Sequence, residues 1–307
     1  MGFLRFLLNI RSPFLDQLML LISYIATPFV VCAVIAWYYL NVDKDDACAM
    51  SFGFCFSCLL CQAVKIVVRA PRPWNIDTQF TPVESAMSSA TGYSFPSIHS
   101  QSSASLMTSF FYKYKNKLAR ILCVIFLALS LFSRMYLGCH TPQDVLVGAL
   151  AGVAITAFIW FLWNMNKHEG RGAGNFCFFL LAFAVVSVFL TTSLLLNGTI
   201  DYANASDSYK TAGMAVGFAM AFLLEPHFLR FSVEGSPMQK LLRFMIALGG
   251  VALINFGMKL IPTSSSIPLL LVRYALLILW MLFFTPLICL RCGLHRREEV
   301  PLRMPEI

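Results

Sequence analysis

An all-α fold, a polytopic bundle of transmembrane helices, follows from three properties of this chain. Apolar residues fill 58% of its 307 positions and charged residues only 12%, about half the charged share of a soluble domain. Mean hydropathy is +0.72. Apolar runs of roughly 20 residues, the length that crosses a bilayer as a helix, recur from end to end. About nine spans are expected, near 17–40, 48–69, 97–113, 118–138, 144–165, 175–196, 211–229, 241–260 and 267–290.

Residues 1–16 precede the first run and read as a short interfacial helix with Phe3, Leu4 and Leu7 toward lipid. The run at 17–40 is too long for a cleavable signal and no small-residue cleavage site follows it. The second run ends among Lys65, Arg69 and Arg72. Charge at membrane depth is costly and ordinarily serves a site, the alternative being a snorkelling end-cap. Pro73 then stops the helix at a corner. The third run opens with Pro96-Ser97-Ile98-His99. Proline suits a first helical turn, so the amides of Ser97, Ile98 and His99 are expected free to face an anion, with the Ser97 hydroxyl beside them. Ser100, Ser102, Ser103, Ser105 and Ser109 make this run rich in small polar residues, which predicts a central place in the bundle.

The fourth run ends in Ser133-Arg134, and His140 follows across a short turn. Pro142 starts the fifth and puts Asp144 in its first turn. His140 and Asp144 are four positions apart, so the two side chains share a face if helical geometry reaches back that far. A carboxylate there fixes the imidazole tautomer and leaves the other nitrogen free to attack. Gly148-x3-Gly152, like Gly213-x3-Gly217 later, suits a tight helix crossing. Intrachain packing is the expected use of both, although the same pattern allows a homo-oligomer. The remaining four runs hold no catalytic candidate. They complete the bundle, line an access route or mediate oligomerisation. The Gly-rich link Glu169–Gly174 is the expected seam between a catalytic core, 1–168, and additional helices, 169–307.

Charge sets orientation. Lys113, Lys115, Lys117, Arg120, Lys167, Arg171, Arg230, Lys240, Arg243, Arg291, Arg296 and Arg297 fall on one set of loops. The positive-inside rule makes that side cytoplasmic, with the amino terminus and all three motif blocks outside. The net charge of +8 then reads as topology and contact with anionic lipid. Nucleic-acid binding is excluded, because no basic stripe with interleaved aromatics occurs on a soluble domain. His168, His227 and His295 take no role. Cys55, Cys58 and Cys61 share one helical face but lack a fourth ligand, so they read as buried packing and not as a metal site.

Taken together, Lys65-x6-Arg72-Pro73, Pro96-Ser97-Ile98-His99 and Ser133-Arg134-x5-His140-x3-Asp144 supply several cations, two histidines and a carboxylate. That set fits phosphoryl transfer, where catalysis is positioning and charge stabilisation. The three blocks resemble those of the type 2 phosphatidic acid phosphatase (PAP2) superfamily, whose pattern is K-x6-RP, PSGH and SR-x5-H-x3-D. The match runs from Lys65 to Asp144 and departs at one position, Ile98 in place of glycine. Isoleucine keeps the amide and needs no positive φ at a helix start, but its side chain must point away from phosphate and should narrow the pocket.

The resemblance implies a helical catalytic core in which Lys65, Arg72 and Arg134, with Ser97 and the amides of Ile98 and His99, hold phosphate oxygens. It implies that His140, oriented by Asp144, attacks phosphorus, and that His99 protonates the leaving oxygen and then activates water. It implies no metal and no cofactor, fixed cations taking the metal's place. The substrate expected is a membrane lipid phosphate or pyrophosphate, met at the outer face of a cytoplasmic membrane or the lumenal face of an endoplasmic reticulum. Transfer of phosphate to an alcohol, hydrolysis of a soluble sugar phosphate, and a non-enzymatic lipid-binding role are the alternatives. The long polar stretch 74–93 is either a lid or a solvated connection.

Overall fold

The structure, a computed structural model, describes residues 1–167, 173–260 and 266–298. Its elements are α1 Gly2–Leu8, α2 Pro13–Ile25, α3 Pro28–Asn41, α4 Lys44–Val68, α5 Pro73–Ile76, α6 Glu84–Met87, α7 Ile98–Lys113, α8 Lys117–Tyr136, α9 Pro142–Lys167, α10 Gly174–Leu196, α11 Tyr202–Phe228, α12 Pro237–Lys259, α13 Ile267–Leu279, a π-helical turn Trp280–Phe284 and α14 Thr285–Arg291. Among the described residues the only β feature is an isolated bridge between Phe231 and Arg297. Residues 169–172 of the expected seam, with His168 and Arg171, lie outside the described residues.

Among the described residues six helices are long and apolar enough to cross a membrane, and a seventh crossing results if the bent pair α2–α3 counts as one. Two of the expected spans, 97–113 and 211–229, fall on α7 and α11, which do not meet that description. Both are inner helices. α7 packs against α4, α8 and α9, and α11 against α4, α10 and α13, so neighbours rather than lipid cover them and their side chains need not be apolar. The α7 serines are all buried, and several return their hydroxyls to the helix, Ser102 to the Ile98 carbonyl and Ser109 to that of Ser105. Back-bonding of this kind satisfies a hydroxyl that has no water to turn to.

The expected span at 17–40 is broken. α2 and α3 meet at 50°, because Thr27 caps α3 through the Val30 amide and Pro28 follows at its first position. The amino-terminal helix is also shorter than expected, and Leu4 and Leu7 do not face lipid. They are buried on Phe80, leaving Phe3 and Phe6 exposed.

One core crosses the bundle. Phe52 of α4 lies 5.7 Å from Trp163 of α9, 5.3 Å from Phe176 of α10 and 5.6 Å from Phe222 of α11, ring centre to ring centre. Both small-residue pairs are used within the chain. Gly152 sits against the Gln101 carbonyl of α7, and Gly213 against the Leu271 carbonyl of α13. Arg243 departs from the expected lipid contact. It is 1% exposed and donates to the carbonyls of Leu40 at the end of α3, of Val233 and Glu234 between α11 and α12, and of Leu294 after α14.

Candidate active site

Four helix ends and two connections bring the three blocks together. α4 delivers Lys65, 2% exposed, in its last turn. Arg69 then caps the helix in the left-handed region at φ 54° with its side chain exposed, so the chain turns away and Arg69 stays out of the site. Arg72 precedes α5 and is buried. Its Nε donates to the Gly92 carbonyl at 3.0 Å, Nη2 to that of Thr91 at 2.6 Å, and Nη1 to that of Cys139 at 3.0 Å. The same Nη1 lies 3.0 Å from His140 Nε2. Thus the far end of the 74–93 stretch, a strap over the site, is tied down twice: Arg72 grips it, and the Thr91 hydroxyl binds it to α11 by donating to Asp207 at 2.5 Å. Asp207 in turn holds Lys210 at 2.7 Å.

At the start of α7 the expectation needs two corrections. Pro96 lies before the cap, not in the first turn, because Ser97 is the N-cap and its Oγ accepts from the Ser100 amide. The Ser97 amide is not free; it donates to the Asp144 carbonyl at 2.9 Å, since the close α7–α9 crossing at Gly148 brings those backbones together. Ile98 and His99 remain as first-turn amides without an intrahelical acceptor. Ile98 has no positive φ, and its side chain packs against the hydrophobic core. His99 is 5% exposed and its Nε2 has no partner.

α8 ends with Arg134, fully buried. Nη1 donates to Ser23 Oγ at 2.6 Å, while Nε and Nη2 have no partner. Beyond it the chain reverses at Gly138, φ +77°, where a Cβ would meet Phe80 and the Arg11 side chain at 2.9 Å. Only glycine fits a position with both constraints. His140 follows, 1% exposed. Its Nδ1 is 3.7 Å from Asp144 Oδ2, beyond hydrogen-bond range. That oxygen instead accepts from Ser94 Oγ at 2.6 Å and the Thr141 amide at 2.7 Å. Asp144 therefore fixes the turn carrying His140 and sits beside the ring, rather than clamping it as the i, i+4 spacing suggested. Burial pushes the His140 pKa well below 6.5, and the positive charges of Arg72, Arg134 and Lys65 add to that, against a smaller opposing bond to the Ser94 backbone.

All eight expected residues thus gather at one end of the bundle: Lys65, Arg72, Arg134, Ser97, Ile98, His99, His140 and Asp144. Residues that the sequence reading did not single out complete the site. Ser94 and Thr141 hold Asp144, Ser23 holds Arg134, and Thr91 with Asp207 holds the strap. Asp207 alone had a signal, a carboxylate beside an apolar run. Among the described residues no three His, Cys, Asp or Glu side chains converge as for a metal ion. Buried cationic donors left without partners, beside a neutral imidazole, are complementary to a small anion with several oxygens.

Two family descriptions match the chain: the PAP2 superfamily over residues 46–168, and the PAP2 superfamily phosphatase transmembrane extension over residues 209–297. A dolichyldiphosphatase of Saccharomyces cerevisiae is 27% identical over 166 residues, which cover 50% of this chain and 68% of that protein. No solved structure matches the chain significantly.

Proposed function

The chain belongs to the PAP2 superfamily and is an integral membrane protein, and on that footing we propose that it hydrolyses a lipid phosphate or pyrophosphate through a phosphohistidine. The observation that carries this reading is the cluster of buried donors without partners, Arg134 Nε and Nη2 and His99 Nε2, in the same site as Lys65, Arg72 and a neutral His140. An arriving phosphate satisfies them all at once.

In this mechanism Lys65, Arg72, Arg134, the Ser97 hydroxyl and the amides of Ile98 and His99 take the phosphate oxygens. Arg72 leaves its contact with His140 for the phosphate, which frees the Nε2 lone pair. Nε2 attacks phosphorus as the P–O bond to the leaving group breaks, and His99 gives that oxygen its proton. His99 then takes a proton from water, the water oxygen attacks phosphorus, and the P–N bond breaks to release phosphate and neutral His140. Fixed cations stabilise the charge throughout. Every residue with a role lies within 1–168, and 169–307 shapes the surroundings. The yeast relative's name supports a lipid pyrophosphate among the substrates, and the distribution of Lys and Arg supports a site on the outer or lumenal face.

The test is phosphate release by purified protein in detergent with chelator present. Phosphatidate, an isoprenyl diphosphate and glucose 6-phosphate are compared, with His140→Ala as control. Release from a lipid that disappears in the variant supports the reading. Equal release by the variant, or none from any lipid, overturns it.

A further inference from the structure

His99 lines a cavity of about 430 Å³ that is also lined by α11, α12 and α13, helices carrying none of the three blocks. The polar part of its lining includes Ser89 of the 74–93 stretch, Gln62 of α4, Lys210 of α11 and Asn255 of α12. The apolar part includes Ile98 of α7, Met214 of α11, Val251 of α12, Ile278 of α13 and Met281 of the π-helical turn. Pro28 and Phe29 of α3 line one flank. Phe29 is 51% exposed on the outside of the bundle, so the cavity reaches the lipid-facing surface where the α2–α3 bend parts the helices.

We infer that this cavity receives the hydrocarbon tail of the substrate, admitted sideways at Pro28–Phe29, and that α11–α13 thereby select among lipid phosphates. The inference rests on the phosphatase reading for the headgroup. A chamber with a polar part and an apolar part, lined both by a catalytic candidate and by a residue exposed on the outside of the bundle, suits a molecule with a phosphate at one end and a chain at the other. Its size falls in the range of small-molecule sites. A soluble sugar phosphate would leave the apolar walls facing water. Lipid tails are as apolar as the walls, so the cavity gains little affinity over the bilayer. What it imposes is shape: a chain that fits places its phosphate at His99, and one that does not is held off.

The experiment compares two substrates with one headgroup, farnesyl diphosphate and isopentenyl diphosphate, in wild type and in Ile278→Trp and Met214→Trp. Filling the cavity should lower the ratio of kcat/KM, long chain over short, by about tenfold or more. An unchanged ratio in a variant whose thermal midpoint matches wild type overturns the inference. Should the tryptophan variants fail to fold, wild type photolabelled with a diazirine-bearing farnesyl diphosphate decides. Label on α3, α11 or α13 peptides supports the tail site, and label confined elsewhere sinks it. If wild type releases no phosphate from either substrate, the phosphatase reading fails, and the position of the label still reports on the cavity.

Discussion

At His140, burial and three neighbouring cations act in one direction, holding the imidazole neutral far below its ordinary titration range. The ring nitrogen that would attack phosphorus is 3.0 Å from an Arg72 donor, and a neutral nitrogen is what such a donor selects. The folded pKa lies below the free value of 6.5, so the acid limb of kcat/KM, which reports the free enzyme, is expected below pH 6.5. Removing one of the cations relaxes the shift. Arg72→Gln should therefore move that limb upward, besides costing about 10²–10³ in rate, as loss of a charge-stabilising donor does. A pH profile of the variant checks both. A limb that stays in place would show that Arg72 does not set the state of His140. His140→Ala has no nucleophile to titrate, and its residual rate should lack the acid limb that His140 sets.

Two element contacts hold the site open for such chemistry, and each invites a substitution far from the reacting atoms. In the crossing of α7 on α9, a Cβ at Gly148 would run into the Ser97 carbonyl oxygen, which belongs to the backbone and has nowhere to go. Gly148→Ala should cost about 1–3 kcal/mol by overpacking and disturb the Ser97–Asp144 backbone bond. Gly249→Ala meets nothing within 4 Å and should be neutral or stabilising, by up to about 1 kcal/mol from helix propensity; thermal midpoints of the pair decide it. The other contact is the tie of the strap to α11. Thr91→Val and Asp207→Ala each remove one half of a bond to a charged group and should lower kcat/KM by roughly tenfold. The double variant should cost little more than either alone, and full additivity would show that the tie is not what matters. The strap's attachment could not be foreseen, because Thr91 and Asp207 are 116 residues apart and nothing local marks them as partners. The three blocks were legible because burying charge in an apolar chain leaves a contrast that any window reveals. The polarity of α7 announced its central place in the same way. By contrast, the break at Ala26–Thr27 was lost inside a continuous apolar run, and Asp144 was read as a clamp because i, i+4 spacing cannot tell that Ser94 and Thr141 claim the same oxygen.

On the scale of the whole molecule, the end of the bundle opposite the site is closed by a second set of buried ionisable groups. α3 runs from Pro28 at the cavity to Leu40, whose carbonyl accepts from Arg243, so the two ends are joined by one rigid element. Beside Arg243, His295 is 2% exposed, donates from Nδ1 to the Ser232 carbonyl at 2.8 Å and packs its ring 4.5 Å from Phe231. Burial, and then the charge of Arg243, lowers its pKa to about 4. Between pH 6.5 and about 4 the unfolded chain consequently binds a proton at this residue that the folded chain refuses. The stabilising contribution is complete above pH 6.5, falls as pH drops through that window and is gone below about 4. Its size is on the order of 3 kcal/mol. His140 titrates in the same sense, so wild type should lose thermal stability across the window from two places. His295→Asn keeps a donor for Ser232 but cannot titrate, and the fall of its thermal midpoint between pH 6.5 and 4 should be visibly shallower than that of wild type. The same variant should leave the acid limb of kcat/KM where it was, because that limb belongs to His140 at the other end of α3. If instead the stability curve keeps its full slope, His295 is not the group whose protonation opens this end of the bundle.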